Sequence, residues 1–387
     1  MGISSKENIV KILNNQIPSG FVYAPNYWQW FSHHKNHGIL PDEIKHCETQ
    51  LDLLNYLGVN VFSRNIYCRQ EEYWFGGICE EYFEDGTMIT NTETYGHNKI
   101  TKHDYHLNKG ILSEKLEYLF NESTIVQKEF LITDYLSQAD LLEQFVSSRK
   151  WRFNKIRYDQ ICTTVGDSGI VIVGEFFSPL KMLHIAMGPV NSVYFLMEQP
   201  EFSNRILALH EAAQLDLVRE CVVNGVNVLM SMDNLDTMFH PPDYVEAYSA
   251  SFYEKASAIC HENGSRFFIH ACGNQKDNLK LINSLGVDGL EGFAFPPLGD
   301  IELEDAMKIT SDNFIITGGI SAMETRNLKT KKEVFRYVEA LFKRMSPYKN
   351  RFVFSSSCNT SIDTGWNTIK YFRDAWLEYM DQDQVYN

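Results

Sequence analysis

Short apolar segments separated by helical stretches recur along the chain, and several of them end on polar side chains. The segments begin near residues 21, 59, 170, 227, 267, 287, 314 and 352. Continuous apolar runs such as residues 170–173 are typical of strands buried on both faces of a parallel sheet. Eight such strands with room for intervening helices predict an α/β fold, the (β/α)8 (TIM) barrel, whose functional residues lie at the carboxyl ends of the strands.

The sequence pattern from residue 73 to residue 128 differs from the alternation of strands and helices in the rest of the chain. It carries turn signals at Gly76-Gly77, Asp85-Gly86 and residues 108–110, with threonine- and tyrosine-rich runs between them. Such a pattern predicts antiparallel hairpins. We therefore expect one barrel domain over residues 1–387, a length that suits a large barrel, with a β-rich insertion at 73–128 within it.

His270 and Cys272 stand two positions apart at the end of the strand that begins near residue 266. Side chains at i and i+2 of a strand project to the same face, so this pair has the geometry of a chelate. Cys358 follows another apolar strand and supplies a third nitrogen or sulfur donor of the kind that zinc prefers. The alternative is a histidine oriented in the barrel and cysteines that act as small buried apolar residues.

The overall composition excludes several classes of protein. A net charge of −15 disfavours binding to nucleic acid, and no apolar run reaches the length of a membrane span. The N-terminus lacks the apolar region of a secretory signal, and the eight cysteines are dispersed without a C-x-x-C pair. We therefore expect a cytoplasmic protein with reduced thiols and no membrane partner.

These features together resemble the uroporphyrinogen decarboxylase superfamily, and within it the zinc-dependent corrinoid methyltransferases. The resemblance runs from about Gly166 to the C-terminus. It is carried by Asp233, the His-x-Cys-Gly at 270–273, residues 286–288, 296–300 and 317–320, and Cys358. In the looser N-terminal half, residues 110–115 are similar to the methyltransferase component of anaerobic O-demethylases. In that branch the His-x-Cys and the distant cysteine hold zinc, which implies that role for His270, Cys272 and Cys358.

The sequence departs from the uroporphyrinogen decarboxylases themselves. Those enzymes use an arginine-rich N-terminal segment to hold the carboxylates of the tetrapyrrole, whereas residues 23–30 contain no arginine here. The resemblance therefore implies demethylation of a methoxylated small molecule, with an aromatic one favoured, and transfer of the methyl group to the Co(I) cobamide of a separate corrinoid protein. No corrinoid-binding Asp-x-His-x-x-Gly signature occurs in this chain. Formation of a homodimer is left open.

Each remaining candidate residue at a strand end has two interpretations, one functional and one structural. Glu291 is a fourth zinc ligand or a salt-bridged carboxylate at the barrel rim. Glu175 and Asp233 are catalytic groups that hydrogen-bond the substrate or protonate the leaving oxygen, or they cap the following helices. Arg64 pairs with a substrate carboxylate or with a barrel acid. Further substrate-binding candidates, which are otherwise core or polar loop residues, are Tyr23, Tyr27, Trp28, Phe176 and Asn234.

Two other functions are compatible with the sequence. The first keeps the zinc and transfers a methyl group from a methyl-corrinoid to a thiol such as coenzyme M, whose pKa the metal would lower. The second is a non-catalytic relative that binds a metal or a corrinoid.

Overall fold

The computed structural model describes residues 5–64, 66 and 77–385, with side chains described to residue 380. Seven parallel strands form the central sheet, and the chain segment around Val61 lies between its two edges. The (β/α)8 barrel predicted from the sequence is confirmed, with an additional antiparallel sheet in the N-terminal half.

The strands are, in chain order, β1 (Val22–Tyr23), β2 (Cys79–Phe83), β3 (Thr87–Tyr95), β4 (Asn98–Leu107), β5 (Gly110–Leu119), β6 (Thr124–Glu129), β7 (Arg149–Phe153), β8 (Ile172–Phe176), β9 (Val228–Ser231), β10 (Arg266–His270), β11 (Gly289–Phe293), β12 (Ile315–Ile320) and β13 (Phe352–Ser356).

The helices are α1 (Ser5–Leu13), α2 (Trp28–Asn36), α3 (Gln50–Leu57), α4 (Ala139–Ser148), α5 (Lys155–Val165), α6 (Pro179–Glu198), α7 (Pro200–Val223), α8 (Pro242–Tyr248), α9 (Ala250–Glu262), α10 (Leu279–Ser284), α11 (Leu303–Ile309), α12 (Ala322–Asn327), α13 (Lys331–Met345) and α14 (Trp366–Val385).

The sheet order is β1-β13-β12-β11-β10-β9-β8, and the gap between β8 and β1 is bridged by residues 60 and 61. The Asn60 amide donates to the Tyr23 carbonyl at 2.8 Å, and the Ile170 amide donates to the Val61 carbonyl at 2.9 Å. The strand predicted near residue 59 therefore takes its place in the ring, although only Val61 forms a bridge of regular geometry.

Side chains alternate between two apolar layers along the barrel strands. Val22, Met230, Phe268 and Val353 belong to a cluster inside the barrel. Their neighbours in the chain, such as Tyr23, pack in the layer between the sheet and the helices. This alternation is what period-2 strand geometry requires, and it decides which strand-end side chains face the barrel mouth.

The antiparallel part consists of a four-stranded sheet, β3-β4-β5-β6, and a two-stranded ribbon in which β2 pairs with β7. The first residues of the predicted insertion, 73–76, lie outside the described residues. The antiparallel pairing continues beyond the predicted end at residue 128, because β7 returns to β2 after α4. The domain boundaries themselves stay a prediction.

No helix among the described residues is both long enough and apolar enough to cross a membrane.

Candidate functional site

Three potential metal ligands meet at the carboxyl ends of two barrel strands. His270 is the last residue of β10, Cys272 follows it by two positions, and Cys358 follows the end of β13. The donor atoms of these three side chains all lie within 4.8 Å of one another. Strand alternation predicted the His270–Cys272 pair, and the parallel arrangement of the barrel strands brings the distant Cys358 to the same place.

Glu291 and Arg64 complete the buried polar cluster. Glu291 lies beside His270 in the parallel register of β10 and β11, and its Oε2 is 2.5 Å from His270 Nδ1. Arg64 Nη1 donates to the same Oε2 at 2.8 Å and also contacts the His270 ring, while Nη2 lies 3.3 Å from Cys358 Sγ. All three of these polar side chains, His270, Glu291 and Arg64, are at most 1% exposed.

The charges in this cluster shift the pKa of each group. The hydrogen bond from the Cys272 thiol, helped by Arg64 and His270, holds the pKa of Cys358 well below its usual range, although burial opposes this. The same hydrogen bond, together with burial, raises the pKa of Cys272. Burial alone would raise the pKa of Glu291, but the charges of Arg64 and His270 lower it. The surroundings therefore favour the carboxylate form of Glu291 and the thiolate form of Cys358.

The residues present fit a zinc ion. Donors bound tetrahedrally to one zinc ion at about 2.0–2.3 Å are separated by roughly 3.3–3.8 Å, and the three ligand atoms, all within 4.8 Å of one another, would have to approach by about 1 Å or less to bind it. The second Glu291 oxygen, Oε1, is buried and makes no hydrogen bond to the described residues. Two of the three ligand residues, His270 and Cys358, already contact a cationic group, the Arg64 guanidinium. One imidazole and two thiolates form a set that zinc commonly accepts.

Two glycines give the cluster its close packing. Gly292 has φ +88°, and a Cβ there would lie 2.5 Å from Cε1 of His270. Gly273 has φ +111°, and a Cβ there would lie 1.9 Å from Oδ2 of Asp236. A side chain at either position would therefore combine backbone strain with a steric clash.

The structure gives the two other predicted acids definite hydrogen-bond partners. Asp233 accepts from the Ser178 amide at 2.9 Å, from the Ser231 hydroxyl at 2.9 Å and from the Tyr253 hydroxyl; burial raises its pKa, and these bonds oppose the rise. Glu175 accepts from the amides of Ile78 and Cys79, at 3.3 and 2.9 Å. Both carboxylates thus connect elements of the fold, and their catalytic roles stay predictions.

The predicted aromatic residues lie apart from the metal-ligand cluster. Tyr23 and Tyr27 pair through their hydroxyls at 2.8 Å, and Tyr23 packs on Trp376 in the helix layer. Phe176 belongs to the same layer, and Trp28 is buried at the start of α2. Their substrate-binding roles stay predictions.

A cavity of about 910 Å³ opens beside Cys272. The four-stranded sheet lines one side of it, and the beginning of α6 and the loop after β9 line the other. Of the predicted residues, Asn234 and Cys272 line this cavity; Asn234 Oδ1 lies 3.9 Å from Cys272 Sγ. The sequence interpretation missed the cavity residues Phe177, Lys181, His184 and His240. Each of them follows the carboxyl end of a predicted strand, but their placement in one cavity depends on tertiary packing that the strand pattern does not encode.

The barrel fold and the strand-end ligand cluster together define a class, the α/β-barrel proteins with a polar cluster at the barrel mouth. Residues 155–379 match the uroporphyrinogen decarboxylase (URO-D) family, which is more than half of the chain. The protein belongs to this family, and the family resemblance found in the sequence is confirmed. No curated protein matches the chain by sequence.

Solved structures with a similar fold have low sequence identity. A methyltransferase from Methanosarcina mazei is 11% identical, with a TM-score of 0.55 over 98% of this chain and 99% of that chain. A B12-independent methionine synthase from Shewanella sp. W3-18-1, in complex with selenomethionine, is 9% identical, with a TM-score of 0.45 over 96% of both chains. At 11% identity the likeness to the Methanosarcina mazei methyltransferase concerns the fold alone.

Proposed function

We propose that this protein is a zinc-dependent methyltransferase that removes a methyl group from a methoxylated small molecule and transfers it to the Co(I) cobamide of a separate corrinoid protein. The observation that carries the proposal is the His270, Cys272 and Cys358 cluster beside a cavity of about 910 Å³. Membership in the URO-D family and the motif resemblance of residues 233–358 support it.

The reaction requires activation of a poor leaving group. The C–O bond would break with its electron pair remaining on oxygen, which would take a proton from solvent, while the Co(I) cobamide of the partner, as the methyl acceptor, would supply the electron pair for the new bond to the methyl carbon. A zinc ion bound by the three ligands would supply Lewis-acid stabilisation for the charge that develops on oxygen.

The residues of this chain hold and orient the site. Glu291 accepts from His270 Nδ1, and the other ring nitrogen, Nε2, lies 2.8 Å from Arg64 Nη1 and 4.0 Å from Cys358 Sγ. A carboxylate on the other ring nitrogen is a common way to fix a ligating histidine. Arg64 balances the charge of Glu291 and of the Cys358 thiolate, so that the anionic donors remain tolerable in a buried place.

Single-turnover methyl transfer tests the proposal. Zinc-loaded protein, free cob(I)alamin and a panel of methoxyarenes are mixed anaerobically, and conversion of the Co(I) spectrum to that of methylcobalamin is followed. We expect transfer with wild type and a loss of about 100-fold or more in Cys272→Ala. Cys162→Ala, which changes a half-buried cysteine on α5, should behave as wild type.

Equal rates in wild type and Cys272→Ala would exclude the metal role. Consumption of methylcobalamin only in the presence of a thiol would identify the reverse reaction, transfer to a thiol. Absence of bound zinc together with no transfer in either direction would identify a non-catalytic relative.

A further inference from the structure

Three basic side chains form a recess in the wall of the cavity, on the side opposite the antiparallel sheet. Lys181 and His184 lie in the first two turns of α6, and His240 lies in the loop between β9 and α8. The rings of His184 and His240 are 4.9 Å apart between centroids. We call these three residues the basic recess. Among the described residues, none of the three hydrogen-bonds to His270, Cys272 or Cys358.

The basic recess contains hydrogen-bonding groups without protein partners. His240 is 2% exposed, and neither of its ring nitrogens makes a hydrogen bond of ordinary geometry to the described residues, although the Asp236 carbonyl lies beside the ring. The Lys181 ammonium makes no ion pair or hydrogen bond within the part of the chain that the structure describes. Buried polar groups are normally satisfied, so the buried ring of His240 indicates a ligand. Lys181 is half-buried beside it.

The charge state of the recess favours an anion. Burial, reinforced by Lys181, lowers the pKa of His184 to about 4. Burial, with His184 and Lys181, lowers the pKa of His240 to about 3. Both rings are therefore neutral near pH 7 and can each donate one N–H. Burial lowers the pKa of Lys181, and the nearby Asp233 opposes this. The start of α6 adds the positive end of a helix dipole.

The nearby carboxylates do not neutralise the recess by direct contact. Asp233 has its oxygens occupied by three donors, as described above. Asp236 accepts from the amides of Met238 and Asn274, at 2.8 and 3.3 Å. Since both acids are held by other groups, an incoming carboxylate can hydrogen-bond to the ammonium and the imidazole N–H groups without displacing an ion pair.

We propose that the basic recess binds a carboxylate of the methyl donor, which makes the substrate a methoxylated carboxylic acid. This inference depends on the proposed function in one respect: the proposed reaction is the reason for expecting a methoxy group on the carboxylic acid. Cys272 lines the same cavity, and the apolar side chains Phe177, Met232 and Phe239 line it as well. An apolar body, such as an aromatic ring, would then join the carboxylate to a methoxy group that reaches the metal ligands.

Equilibrium binding tests the inference without requiring turnover. Isothermal titration calorimetry on the full chain compares 4-methoxybenzoate with the isosteric 4-methoxybenzamide. The variants are Lys181→Met, Lys181→Arg and Lys99→Met; Lys99 lines the same cavity from the sheet side, so it is a matched control. Thermal unfolding of each variant establishes that it is folded.

We expect the benzoate to bind to wild type more tightly than the benzamide. Lys181→Met should weaken the benzoate about 10- to 100-fold, with Lys181→Arg closer to wild type and Lys99→Met within about twofold. If Lys181→Met does not fold, His240→Phe provides the second variant and should weaken benzoate binding in the same direction.

Three results would overturn the inference. These are equal affinity for the acid and the amide, a loss of benzoate binding in Lys99→Met as large as that in Lys181→Met, and no benzoate binding in the millimolar range. The proposed function fails separately. Lys181-dependent benzoate binding without methyl transfer would leave the recess established, whereas transfer from neutral methoxyarenes at rates independent of Lys181 would leave only the methyltransferase established.

Discussion

At the scale of single residues, the candidate metal centre depends on one histidine being held by an acid on the next strand. The Glu291 carboxylate contacts both His270 and Arg64, so it fixes the imidazole and balances the guanidinium charge. Buried ion pairs of this kind are costly to break, because removing one member leaves the other charged and unpaired. We therefore expect zinc binding to weaken when one carboxylate oxygen of Glu291 is replaced by an amide nitrogen.

Glu291→Gln should lower the affinity for zinc about 10- to 100-fold, the usual effect of losing the outer partner of a ligating histidine. Competition with a chromophoric chelator measures this affinity. Glu80→Gln, which changes a partly exposed acid of β2 that pairs with Arg152, is the control and should bind zinc as wild type does. Equal zinc affinity in Glu291→Gln and wild type would show that Glu291 is not needed to hold His270 in position for the metal.

Stability at acid pH should depend on His210, a buried histidine of α7. Burial and the charge of Arg149 lower its pKa to about 3. The unfolded chain takes up a proton below the ordinary histidine pKa of about 6.5, while the folded protein does not, so stability falls as pH falls from about 6.5 toward 3. The contribution between pH 6.5 and 5 is about 2 kcal/mol.

His210→Phe should therefore lose less stability than wild type between pH 6.5 and 5, as measured by urea unfolding at several pH values. The exposed His97 offers a control, and His97→Phe should keep the wild-type slope. An unchanged slope in His210→Phe would contradict the role given to burial.

At the scale of secondary-structure elements, a single acid attaches the antiparallel ribbon to the barrel. Glu175 of β8 accepts the amides of Ile78 and Cys79 where β2 begins. An amide in its place retains one acceptor oxygen and introduces a donor facing two N–H groups. At least one buried N–H would then lose its partner.

Glu175→Gln should destabilise the protein by about 1–3 kcal/mol and increase protease cleavage within the insertion before the barrel is cleaved. Glu80→Gln changes an acid on the same ribbon that pairs with Arg152 on the surface, and it should have little effect. Identical stability and cleavage patterns in the two variants would contradict the attachment.

Element geometry also explains which predictions the sequence supported. The alternation of β10 and the polar ends of β10 and β13 were sufficient to bring His270, Cys272 and Cys358 together. Phe176 was expected at the pocket, but the pairing of β8 with β9 shifts register between Val173 and Phe176. Phe177 therefore lines the cavity and Phe176 packs in the helix layer. Such an irregularity leaves no signal in an apolar run.

At the scale of the whole molecule, the barrel is closed by the segment around Val61. Gly169 lies against that segment, and a Cβ at Gly169 would be 1.8 Å from the Val61 carbonyl oxygen. Because that neighbour is backbone, it cannot move away without breaking the hydrogen bonds that complete the ring.

Gly169→Ala should destabilise the protein by about 3 kcal/mol, the upper end of the usual cost of overpacking, as measured by chemical unfolding. Gly365→Ala is the control, because the nearest atom to a Cβ there is the Thr368 hydroxyl oxygen at 3.9 Å, and its stability should be close to wild type. Equal stability of the two variants would show that closure at Val61 is not required.

The cavity is also a property of the whole molecule, and this is why its residues were missed. Its walls come from the antiparallel sheet and from α6, which are far apart in the chain and meet only through tertiary packing. The sequence pattern predicted the two parts separately. The placement of Lys181, His184 and His240 opposite that sheet depends on how the parts pack, which strand periodicity does not encode.

The central claim, that His270, Cys272 and Cys358 bind a zinc ion, is tested most directly by X-ray absorption at the zinc edge of the purified protein. The account predicts one zinc per chain with two sulfur ligands and one imidazole, and a single sulfur in Cys358→Ser. A protein that takes up no stoichiometric zinc, or a zinc ion surrounded only by oxygen and nitrogen, would contradict it.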